Sequence, residues 1–319
     1  MAIRAVSVVL MAALSGPVLV AACGSRTGLL GPLASEASAP DAAPDVLEEA
    51  DVFEEPDADV VFPDGPDICP DAGSTLVYVI TESNDLFSFY PPTLTFTRIG
   101  PVSCVVPGAT PFSMAVDRRG IGLSVFSDGT LHQIDMGTAA CRDTTFQPDQ
   151  LGFQTFCMGY AANSGDGGDA GETLYVAECN VSTNGGAKPN SMGLATLDTT
   201  RLTLSYVAPF SQGIPGPELT GTGDGRLFGF YTNTDPATSG SHIVQIDRGT
   251  GALLQDYPLQ VGTPLDGYAF AFWGGVFWVF TSNQGTIVTR FDPTTGSETN
   301  VTTMPEGVVG AGVSTCAPM

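Results

Sequence analysis

Residues 111–146 read PFSMAVDRRGIGLSVFSDGTLHQIDMGTAACRDTTF, and this stretch decides the fold. Ser113–Asp117, Ile121–Phe126, Thr130–Asp135 and Cys141–Phe146 are four short runs with apolar or alternating character. Each is too short for a helix, and Gly, Asp and Ser punctuate the gaps between them, the turn chemistry of antiparallel strands.

The same four-part unit recurs with a spacing of about 45 residues. Its second strand returns at Leu76–Ile80, Leu174–Ala177, Leu227–Tyr231 and Val276–Phe280, and its third at Leu86–Tyr90, Leu194–Asp198, Ile243–Asp247 and Ile287–Asp292. The third strand is followed by a turn of one chemistry, DRGTG at 247–251 and DPTTG at 292–296. There the Asp side chain can bond its own downstream backbone and Gly can take positive φ, so these acids read as structural rather than catalytic.

Counting copies gives five. The N-terminal copy begins at its second strand, Leu76, whereas an orphan first strand, Val308–Thr315, stands near the end of the sequence. Supplying the missing strand from the other end closes a ring and removes exposed sheet edges. The expected fold is therefore all-β, a five-bladed β-propeller over residues 73–319 closed by a C-terminal strand. Its innermost strands carry small residues, Ala115, Gly159, Gly221, Ala269 and Gly312, where five strands crowd one axis.

Two segments precede this body. Residues 1–22 have one positive side chain, Arg4, an apolar run from Ala5 to Leu14, a Ser-Gly-Pro break and small residues before Cys23. That is the order of a signal peptide, and it is shorter than the ~20 apolar residues of a membrane span. Val20, Ala21, Ala22 and Cys23 match the bacterial lipobox, so Cys23 is the expected lipidation site. Residues 23–72 carry 13 acidic side chains against Arg26 alone, set among Ala and Pro. Such a composition cannot bury a core and predicts a disordered, self-repelling tether.

The formal net charge of −23 leaves no basic patch for nucleic acid. With Cys23 set aside, six cysteines remain, an even number that points to disulfides in an exported chain. Cys157 with Cys179 on neighbouring strands, Cys104 with Cys141 flanking one repeat, and Cys69 with Cys316 across the seam are the expected pairs.

The segments PFSMAVDRRG at 111–120 and GAGVSTC at 310–316, with the lipobox, carry a resemblance to Gram-negative bacterial lipoproteins with a small, five-bladed β-propeller body. The resemblance covers residues 70–319. It implies a lipid-anchored protein of the cell envelope and no particular reaction; Gly24 rather than Asp after Cys23 implies the outer membrane, on its periplasmic or surface side.

Motifs for serine or zinc hydrolysis and for phosphate cradling are missing from the sequence. Its two histidines, His132 and His242, sit at non-equivalent repeat positions and read as partly exposed strand residues. Glu218, Asp266 and Glu306 lie in or beside loops that enter innermost strands, so they are candidate metal ligands, with Ca²⁺ as the matching hard cation. Asp166, Asp169 and Glu172 form a looser acidic loop. The run YAFAFWGGVFWVF at 268–280 reads as a core hairpin turning at Gly274 and Gly275, leaving Trp273 or Trp278 as at most one exposed platform. These features favour a binding or scaffold module for protein or glycan, monomeric apart from its membrane anchor and needing no cofactor. The alternative is a calcium-dependent sugar-active or lactone-type hydrolase using carboxylates at the propeller mouth.

Overall fold

The computed structural model describes Cys69 and residues 75–104, 106–163, 171–180, 190–233, 240–262 and 265–319. Cys23, the leader, nearly all of the tether, Asp166 and Asp169 lie outside the described residues.

Blade 1 contains β1 (Val77–Thr81), β2 (Asp85–Tyr90) and β3 (Thr95–Pro101); blade 2 runs β4 (Pro111–Val116), β5 (Ile121–Phe126), β6 (Leu131–Asp135), β7 (Cys141–Asp143). Blade 3 is β8 (Phe156–Ala162), β9 (Glu172–Glu178), β10 (Leu194–Asp198), β11 (Thr203–Ala208). Blade 4 is β12 (Glu218–Gly221), β13 (Leu227–Asn233), β14 (Gly240–Ile246), β15 (Leu253–Leu259). Blade 5 is β16 (Gly267–Trp273), β17 (Val276–Ser282), β18 (Thr286–Asp292), β19 (Ser297–Met304). Finally β20 (Val308–Val313) pairs antiparallel with β1, Val77 facing Val313, and completes blade 1 as its inner strand.

The inner strands lie side by side in a closed ring: β20 beside β4, then β8, β12, β16 and β20 again. They are parallel about the axis, because Gly159 abuts Leu219 while Gly221 abuts Tyr160, and Gly310 abuts Met114 while Gly312 abuts Val116. A Cβ on Gly159 would stand 2.6 Å from the Leu219 carbonyl oxygen. The small residues are thus demanded by backbone-to-backbone approach.

Each gap between blades holds one apolar cluster. Phe89, Trp278 and Phe280 pack edge to face between blades 1 and 5, and Phe228, Phe270, Phe277 and Phe291 lie between blades 4 and 5. The turns repeat as their chemistry requires: Asp135, Asp198, Asp247 and Asp292 each accept two backbone N–H bonds from the following residues. Gly274 and Gly275 take φ of 66° and 77°, the double positive φ of a tight hairpin turn.

All three expected disulfides are present. Cys69–Cys316 closes the seam over a separation of 247 residues, Cys104–Cys141 joins the loop after blade 1 to β7, and Cys157–Cys179 ties β8 to the end of β9.

Candidate functional site

The ring has two mouths, one where the chain enters the inner strands and one where it leaves them. Between them the axis is nearly solid. A hollow of about 10 Å³ lies among Ala115, Gly159, Leu219, Thr220 and Gly312, at the lower limit for a single water. No ligand reaches the centre.

At the entry mouth Glu218 opens β12 and is buried. Ser113, on β4, donates its hydroxyl to Glu218 Oε2 at 2.9 Å and accepts the Met158 N–H from β8 between them. Burial pushes the Glu218 carboxyl well above the usual carboxylate range, against the Ser113 bond and the Leu219 N–H. Tyr268, on β16, packs on Phe230 and lies within the field of Glu218; burial and that charge both raise its phenol. Asp266 is exposed, and Glu306 is half-buried in the loop before β20, its backbone carbonyl taking the Thr286 hydroxyl. The candidate trio is not drawn together: among the described residues, the group of three potential metal ligands within 4.8 Å of one another is Cys104, His132 and Cys141. Two of those are joined as a disulfide.

At the exit mouth Arg118, Glu172 and Thr315 form a buried knot. The Arg118 N–H donates to Glu172 Oε1 at 2.9 Å, the Thr315 hydroxyl to Glu172 Oε2 at 2.8 Å, and Arg118 Nε to the Thr315 hydroxyl oxygen at 2.7 Å. Burial lifts the Glu172 carboxyl to about 7; the bonds from Arg118 and Thr315 oppose it and the nearby Asp117 charge adds to it. Residues 315–319 cross this mouth, with Gly223 against the Thr315 carbonyl and the Gly274 N–H donating to the Pro318 carbonyl at 2.7 Å. In the sequence Glu172 reads only as the end of an acidic loop. Its partners lie 54 and 143 residues away, and no local pattern links them.

The histidines divide. His132 is 3% exposed rather than partly exposed, because Phe126 packs against its ring while Asp143 and Thr130 hold its two nitrogens. His242 is partly exposed as expected, stacked on Tyr231 and bonded to Asp256; burial, and then the Asp256 charge, push the Tyr231 phenol up to about 12. The aromatic run is core: Trp278 is buried, and Trp273 is half-buried with its indole N–H given to the Thr75 carbonyl.

A second hollow, of about 460 Å³, opens between blades 4 and 5, lined by Gln260, Thr281, Ile287, Thr289, Glu298 and Asn300 among others. Apart from Asn300, which opens the match Asn300-Val-Thr302 to a glycosylation acceptor that the lipobox argues against, these residues read as an ordinary Thr-rich outer strand and its neighbours.

No protein-family model matches the chain, and no curated protein matches it. Two solved structures are distantly similar to it. Hydrazine synthase of Kuenenia stuttgartiensis is 11% identical over 76% of this chain and 69% of that one, with a TM-score of 0.38. A putative gluconolactonase is 13% identical over 76% of this chain and 78% of that one, with a TM-score of 0.43. At such distances neither likeness bears on chemistry.

Proposed function

We propose that this protein is a propeller-bearing lipoprotein of the bacterial envelope, anchored through Cys23, whose body is a binding or scaffold module for protein or glycan. The observation that carries this reading is the filled axis: a ring whose centre holds at most a water, with its entry carboxylate already bonded to Ser113, leaves recognition to the blade surfaces. Three disulfides are consistent with an oxidising compartment outside the cytoplasm. The acidic body is repelled by anionic headgroups, so residence at the membrane falls to the acyl chains, each buried CH₂ contributing about 0.8 kcal/mol.

Two measurements test the proposal. Acyl labelling in a Gram-negative host is expected on the native chain and absent from Cys23→Ala; label retained by the variant refutes the anchor. Thermal unfolding of the Cys23→Ala chain in EDTA and in millimolar Ca²⁺ is expected to give one midpoint. A calcium-dependent rise abolished by Glu218→Gln or Asp266→Asn would instead identify a metal centre at the entry mouth and overturn the binding-module reading.

A further inference from the structure

The face that blade 5 turns to blade 4 changes character along its length. Near the axis it carries Phe270, Phe277 and Val279, sealed against Phe228 and Phe230. Toward the end of β17 and on the two outer strands the same face carries Thr281, Ile287, Thr289 and Asn300, held together by the pairings Thr281 with Ile287 and Thr289 with Asn300. These side chains do not fill the gap between the blades. The 460 Å³ they leave falls within the range of small-molecule sites, about 300–1,000 Å³. Leaving an interblade seam open forfeits apolar burial that the fold uses elsewhere around the ring.

The polar groups of the hollow are under-used. Thr281 is 6% exposed, and its hydroxyl has no hydrogen bond among the described residues. That hydroxyl is not sealed from solvent, so it is open to a ligand in the hollow as both donor and acceptor. Thr289, also buried, donates to Asn300 Oδ1 at 2.8 Å, which occupies the amide oxygen and leaves the Asn300 NH₂ unpartnered among the described residues. Glu298 Oε2 accepts the Gln260 N–H at 2.7 Å, so one carboxylate oxygen ties the two blades at the hollow and the other is free to accept. Ile287, 43% exposed, and Val261 supply an aliphatic surface. Among the described residues no Lys or Arg lines the space.

We propose that this interblade hollow binds a neutral oligosaccharide. Vicinal hydroxyls both donate and accept, which matches a donor amide, a free carboxylate oxygen and a threonine hydroxyl set in a rigid sheet; the C–H face of a sugar ring matches Ile287 and Val261. An anionic ligand finds no cation there and meets Glu298. The proposal rests on the binding-module reading and gives it a ligand class and a place.

Titration calorimetry of the full chain carrying Cys23→Ala, against cellobiose, maltotriose, N,N′-diacetylchitobiose and the acidic digalacturonate, tests it. A neutral sugar is expected to bind and digalacturonate not to. Thr281→Val, which keeps side-chain shape, is expected to weaken binding roughly fivefold to tenfold, the worth of one hydrogen bond, with the unfolding midpoint unchanged; Asn300→Ala is expected to weaken binding as much and to lower the midpoint, because it strands the buried Thr289 hydroxyl. Ser205→Ala, on the exposed side of β11, is the neutral control. A neutral sugar bound equally by both hollow variants would overturn the location while leaving the module reading in place. Binding of digalacturonate alone, or of no sugar at all, would overturn the ligand class.

Discussion

Ser113 and Glu218 are bonded across the ring, from the inner strand of blade 2 to that of blade 4, with the Met158 N–H of blade 3 closing the contact from between them. One hydroxyl thus couples three blades at the entry mouth. Because burial favours the neutral form of the Glu218 carboxyl, a carboxamide keeps an uncharged group with an oxygen to accept the Ser113 hydroxyl. Glu218→Gln is expected to stay within about 1 kcal/mol of the native chain at neutral pH. Glu218→Ala, which strands the Ser113 hydroxyl beside a cavity, should cost on the order of 2–4 kcal/mol by urea unfolding. Equal losses for the two variants would show that a charge, not a neutral acceptor, is needed there.

Glu172 and Glu218, both raised by burial, and the turn aspartates set opposite pH dependences. Glu172 is raised from 4.5 to about 7 when folded, so its contribution is fully present below pH 4.5 and is lost as pH rises toward 7; Glu218 acts in the same direction. Asp198, Asp247 and Asp292 are lowered below 3.8, chiefly by the Arg201 N–H, the Thr250 hydroxyl and the Thr294 N–H. Their contribution is present above that value and is lost as pH falls. Stability is therefore expected to peak between about pH 4 and 5, an acidic optimum that the net charge of −23 reinforces. Glu172→Gln should flatten the decline between pH 4.5 and 7 by roughly 2–3 kcal/mol. A native chain more stable at pH 8 than at pH 5 would contradict this account.

The Cys69–Cys316 bridge spans 247 residues and Cys157–Cys179 only 22. In the chain-entropy view the long loop contributes on the order of 5 kcal/mol and the short one about 3. Replacing Cys69 and Cys316 together by Ser is expected to lower the unfolding midpoint more than replacing Cys157 and Cys179. It should also expose β20 to limited proteolysis before any other inner strand, since β20 is tied to blade 1 by pairing with β1 alone. Cleavage elsewhere first would mean that β20 holds the seam without its staple.

The blade pattern was legible because its signals are local. Strand lengths and the Asp-to-Gly turns are each set within a few residues, and the strand at Val308 and the cysteine pairs, 22 to 247 residues apart, follow from where those local signals place the blades. The polar constellations were not legible, because Ser113 and Glu218, or Arg118, Glu172 and Thr315, are joined only by the ring's tertiary structure, across 54 to 197 residues. His132 was misjudged for a related reason. Its strand position suggested a partly exposed ring, but Phe126 on the neighbouring β5 covers it. The interblade hollow was hidden by its ordinariness: Thr281, Thr289 and Asn300 have strand-like composition, and only the packing of blade 4 shows that no described residue fills the space before them.

Axial crowding yields the sharpest mutational contrast. A Cβ at Gly159 would meet the Leu219 carbonyl oxygen at 2.6 Å and one at Gly221 would collide with the Tyr160 carbonyl, so each substitution presses backbone on backbone with no flexible side chain to yield. Gly159→Ala and Gly221→Ala are each expected to cost at least the ~1–3 kcal/mol of core overpacking, and the pair together to prevent closure. Gly249→Ala is the control: its Cβ would meet nothing nearer than Asp247 Oδ1 at 3.6 Å, and it should be neutral or stabilise by up to about 1 kcal/mol through the unfolded chain. Chemical unfolding of the three single variants separates the cases. If Gly159→Ala behaved like Gly249→Ala, the inner strands would have room to part, and the axis would be wide enough to admit a ligand.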